Sequence, residues 1–162
     1  MNYHINTWQV INLFFIVQPA LFFLAINVPR KNAFLKILFY VSLLLAILNY
    51  AFLQSPKTFN SYTSYVGGIL IIILVLRFLY ELLAKMPVEK VQTLPLFWIA
   101  FGALIYYGGT LFLFLFNNYL LAHLLQDHQW IWVLHNLLNI TKNVFLFMAL
   151  WVNYNNNRTY PQ

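Results

Sequence analysis

The chain has 162 residues, of which 62% are hydrophobic, 20% aromatic and only 7% charged. A soluble domain carries about 25% charged residues, so a water-soluble surface is excluded and lipid is the second solvent. The absence of cysteine removes disulfides, thiolate metal sites and cysteine nucleophiles, and the net charge of +6 comes from basic residues too scattered for nucleic-acid binding.

Met1 to Thr7 carries no Lys or Arg. The first apolar segment holds Asn12, Gln18 and Pro19, so it reads as a retained span, not a cleaved signal peptide. A span needs about 20 mostly apolar residues, and five stretches qualify. They are about 8–28 with Pro19 as a kink, 34–54, 65–84 with the run GILIIILVL, 94–116 opening at Leu94-Pro95, and 130–152. Residues 153–162 form a short polar tail. The expected fold is an all-α integral membrane bundle of five transmembrane helices in one domain, 1–152, followed by a cytoplasmic tail.

Basic residues set the expected orientation. With the N-terminus outside, Arg30, Lys31, Lys36, Lys85, Lys90 and Arg158 fall inside, Arg77 lies near the inner end of span three, and only Lys57 falls outside. This predicts N-out, C-in for five spans. Trp8, Tyr62, Tyr65, Trp130 and Trp132 mark the outer boundary, and Tyr40, Trp98, Trp151 and Tyr154 the inner one.

The last span, WIWVLHNLLNITKNVFLFMALWV, carries a polar stripe. At a helical 100° per residue, with His135 at zero, Lys142 falls at about −20°, Asn139 at about 40°, Asn143 at about 80° and Asn136 at about 100°. Asparagines inside a span commonly hydrogen-bond neighbouring helices. A lysine there costs about 2.5–3.5 kcal/mol even on the lenient insertion scale, which favours a ligand-binding or relay role for Lys142. Of the three acidic residues, none is at its depth. Asp127 and Glu89 lie in loops, and Glu81 is expected to pair with Arg77 one turn away. Lys142 is therefore expected to face the bundle interior, near Asn or Tyr side chains or carbonyls of spans three and four, or to carry no charge. Tyr106, Tyr107, Glu81 and Arg77 are the expected neighbours.

Two other patterns bear on chemistry. His123, Asp127, His128 and His135 include the residue types of a two-histidine, one-carboxylate metal site, but no known spacing, so no metal or other cofactor is expected. Gly102 and Gly109 lie seven apart on one face of span four, where small residues let helices approach closely. No nucleophile triad, phosphate loop or dinucleotide fingerprint is present, and three carboxylates are few for a proton-driven transporter relay.

The segments FWIAFGALIYYGGTLFLFLFNNYLL and WIWVLHNLLNITKNVFLFMALW, with the core His135, Asn136, Leu138, Asn139, Lys142 and Asn143, resemble the last two spans of the multi-pass membrane modules at the N-terminus of certain bacterial sensor histidine kinases. The resemblance covers roughly a third of the chain. Those modules often have seven spans, so this chain looks like the final five. With ten residues following the fifth span in the sequence, no phosphorylatable-histidine segment or ATP-binding domain is expected. The resemblance implies a stand-alone, non-enzymatic sensory module of the bacterial inner membrane, with the stripe lining an intramembrane pocket. The partners expected for the chain are the lipid bilayer, a signalling protein in the cytoplasm or membrane, and further copies of itself in a homo-oligomer. The other classes compatible with the residues are a small oligomeric transporter or channel component and a structural subunit of a membrane complex.

Overall fold

A computed structural model describes residues 7–27, 33–53, 61–85, 90–115 and 129–159. All regular structure among them is helical. The α-helices are α1 (Thr7–Asn27), α2 (Ala33–Leu48), α3 (Ser61–Lys85), α4 (Pro95–Leu115) and α5 (Gln129–Thr159). A π-helical turn, Asn49–Leu53, follows α2, and a 3-10 turn, Val91–Thr93, precedes α4. Lys57 and the loop residues His123, Asp127 and His128 lie outside the described residues, as do Arg30, Lys31 and Glu89.

The expectation of five full spans is corrected. Among the described residues four helices, α1, α3, α4 and α5, are long and apolar enough to cross a membrane. The α-helical part of α2 has 16 residues, and at 1.5 Å per residue it rises about 24 Å, short of the roughly 30 Å hydrocarbon core. The apolar run itself continues to Phe52, but the α pattern stops at Asn49. There the Asn49 Nδ2 donates a 3.1 Å hydrogen bond to Thr63 Oγ1 in the buried interior. The backbone there takes the wider i→i+5 turn, a form found mostly as single-turn insertions. The N-out, C-in orientation rested on an odd number of spans and does not follow from four.

The chain divides into two compact units, within α3, between Leu74 and Val75. In the N-terminal unit, α1 is continuous through Pro19. Pro19 and the carbonyl of Phe15, one turn before it, approach α3 at Gly67. A Cβ on Gly67 would lie 3.2 Å from Pro19 Cγ and 4.0 Å from the Phe15 carbonyl oxygen, so a small residue is what allows the contact. Phe23 of α1 stacks on Phe39 of α2 with ring centroids 4.0 Å apart and planes within 6°.

The C-terminal unit is built on α4 and α5, which run antiparallel: contacts step from Thr93 and Asn156 at one end to Gly109 and Leu138 at the other. Pro95 opens α4 at a position where its missing N–H is not needed. The turn before it is tied down by Thr93 Oγ1 donating to the Lys90 carbonyl (2.7 Å) and Trp98 Nε1 donating to the Gln92 carbonyl (2.9 Å). Helix α5 runs past Val152 to Thr159, so the polar sequence NYNNNRT is helical. Asn156 Nδ2 donates to the Thr93 carbonyl at 2.9 Å, and the Arg158 guanidinium sits over the Tyr154 ring, 5.8 Å from its centroid. A cation in the last turn also complements the helix dipole.

Removing the Asn49 amide should weaken the N-terminal unit by about 1–3 kcal/mol, the usual effect of leaving a buried hydroxyl without its partner. Unfolding of Asn49→Ala in mixed micelles measures it. A change below a few tenths of a kcal/mol would mean that this bond does not stabilise the unit.

Candidate functional site

Small residues on α4 set the site. Gly102 and Gly109 both turn towards α5. A Cβ on Gly102 would stand 2.8 Å from Phe145 Cβ, and one on Gly109 would stand 2.7 Å from both methyls of Leu138. Ala103 is fully buried between them in sequence. At this close approach the larger side chains between the two glycines are pressed together, and they are the polar ones.

Lys142 of α5 is only 5% exposed. Its ammonium lies over the Tyr106 ring, 4.5 Å from the centroid. The electron-rich face of the ring attracts the cation, an interaction worth about 2 kcal/mol or more once water is excluded. That offsets much of the roughly 2.5–3.5 kcal/mol cost of a charge at this depth. Tyr106, at 1% exposure, is also 5.7 Å from His135 between ring centroids. Trp132 meets His135 edge-on at 5.8 Å, and Tyr107 meets Tyr106 edge-on at 5.0 Å. The result is a chain of contacts from Trp132 through His135 and Tyr106 to Lys142, inside one helix pair.

The expected stripe divides. His135 and Lys142 are buried, and Asn139 is half-buried with its Oδ1 enclosed and no hydrogen-bond partner among the described residues. Thr110 Oγ1 on α4 is enclosed in the same way. Asn136 and Asn143 are exposed. The division follows the helical angles, since the two exposed asparagines are the ones about 80–100° from His135. Arg77 and Glu81 pair with each other on α3, Nε to Oε1 at 3.0 Å, an i,i+4 ion pair on a half-exposed face. Among the described residues no group of three His, Asp or Glu could hold a metal ion.

The N-terminal unit holds polar features that the sequence reading used only to argue for a retained span. Asn12 is fully buried, and Gln18 is buried with neither amide atom hydrogen-bonded among the described residues. A cavity of about 190 Å³ lies against Phe15, Pro19, Phe39, Ser42, Asn49, Thr63 and Gly67. Two amides inside a long apolar run were the available signal. Asn12 and Gln18 are six residues apart and so on different faces of α1, which is why they form no stripe.

No protein-family model, curated protein or solved structure matches this chain. What stands is a multi-pass, all-helical integral membrane protein with a lysine packed on a tyrosine inside its C-terminal helix pair.

Proposed function

We propose that the chain is a non-enzymatic sensory module of a bacterial inner membrane, and that the Lys142–Tyr106–His135 cluster is its sensing element. The observation that carries this reading is the buried ammonium over the Tyr106 ring. A buried ammonium packed between two helices is sensitive to its surroundings: neutralising or solvating it would change how α5 seats on α4. His135, in ring contact with Tyr106, belongs to the residue type that changes charge near neutral pH. The far end of α5 is clasped to the start of α4 by the Asn156–Thr93 hydrogen bond, so a shift at the cluster reaches the membrane boundary, where a signalling partner would read it.

Hydrogen exchange in nanodiscs tests the coupling. Between about pH 5 and 8, the range of histidine protonation, protection of residues 153–159 should change in the wild type. His135→Gln and Lys142→Met should each abolish that change. Protection that ignores pH, or that changes equally in the variants, would overturn the reading. Catalysed ion or solute flux in proteoliposomes, lost in Lys142→Met, would assign the cluster to a transporter instead.

A further inference from the structure

The two asparagines that the helix pair leaves out belong to a second pattern. On α5, the residues Asn136, Ile140, Asn143, Phe147, Leu150 and Tyr154 follow one another at alternating spacings of four and three, and all six are exposed. Alternation of four and three is the heptad seam by which two helices interlock, knob into hole. The seam lies about 100° around the helix from His135, so it is separate from the face that carries Lys142. Lipid satisfies Ile140, Phe147 and Leu150, but it offers no hydrogen-bond partner to the carboxamides of Asn136 and Asn143.

We propose that this seam is a homodimer interface, in which α5 packs in parallel against α5 of a second copy. The amides identify the occupant. Asparagine carries both an acceptor oxygen and donor hydrogens, so it is complementary to itself. A two-fold axis along the membrane normal places each residue at the same depth as its counterpart, so Asn136 meets Asn136 of the second copy and Asn143 meets Asn143. The seven-residue step between them matches one heptad and keeps both pairs in register. The interface is independent of any sensing role for Lys142, and its test does not use that residue.

The chain has no cysteine, so single cysteines can be introduced without background. In native membranes under mild oxidation, Ile140→Cys and Phe147→Cys should form disulfide-linked dimers. Leu137→Cys and Val144→Cys, equally exposed but on another face, should not. In liposomes of falling protein density, fluorescence energy transfer between labelled copies should show association weakened roughly tenfold or more in Asn136→Leu/Asn143→Leu and retained in Asn136→Gln/Asn143→Gln, with helicity unchanged in both. A photo-reactive phenylalanine at position 147 should give adducts between identical chains. The inference fails if the wild type is monomeric on dilution, if the off-seam cysteines cross-link as well as the seam ones, or if the leucine pair associates normally. It also fails if the photo-adduct maps to the same chain, to a different protein or to lipid alone.

Discussion

Replacing Tyr106 with alanine is expected to lower the stability of the C-terminal unit by about 3–5 kcal/mol, the range for deleting a large buried aromatic side chain. Two losses combine. The ring is 1% exposed, so its removal opens a cavity between α4 and α5, and it leaves the Lys142 ammonium without the aromatic face it lies over. Lys142→Met should behave oppositely. It gives up an interaction worth about 2 kcal/mol but also the roughly 2.5–3.5 kcal/mol cost of the charge, so it should leave stability unchanged or raise it by on the order of 1 kcal/mol. A double-mutant cycle with Tyr106→Leu and Lys142→Met, followed by unfolding in mixed micelles, should return a coupling near 2 kcal/mol. Additive effects would show that the contact contributes nothing.

The three glycines of α4 should separate in the same assay. In a helix interior, alanine is favoured over glycine by about 1 kcal/mol. Gly108 has nothing within 4 Å of an added Cβ, so Gly108→Ala should stabilise by about that amount. At Gly102 the added methyl would stand 2.8 Å from Phe145 Cβ, an atom fixed to the backbone of α5. The two helices must part, and Phe145 must give up its stacking on Trp98 and its edge-on contact with Phe101. Overpacking of this kind costs about 1–3 kcal/mol, which outweighs the propensity gain. At Gly109 the neighbours are the terminal methyls of Leu138, which can rotate, so Gly109→Ala should fall between the other two. Equal effects at all three positions would contradict the close approach of α4 and α5.

Hydropathy made the membrane class and the positions of the long helices readable, because burial in lipid is recorded residue by residue in an apolar run. Gly102 and Gly109 could be placed on one face for the same reason, their seven-residue spacing being a property of the helix alone. The length of α2 was not readable. Its apolar run extends to Phe52, and the α pattern gives way at Asn49, whose side chain bonds to Thr63, 14 residues away. Nor could periodicity say where the buried part of the α5 stripe ends. It gave the mean direction of five polar residues, while the boundary between His135 and Lys142 on one side and Asn136 and Asn143 on the other is set by how far α4 wraps around α5. The choice of Tyr106, not Tyr107, as the seat of the ammonium likewise needs the rotation of α4, and adjacent residues differ by about 100°.

The shortness of α2 also bears on the lipid around it. Its α-helical part rises about 24 Å against a hydrocarbon layer of roughly 30 Å, too little to reach both faces of a bilayer of full thickness. In a thinner bilayer the same helix would reach both, and local thinning costs only fractions of a kcal/mol per ångström. Bilayer thickness then decides whether α2 joins the four long helices as a span, and lipids with shorter acyl chains should favour the state in which it does.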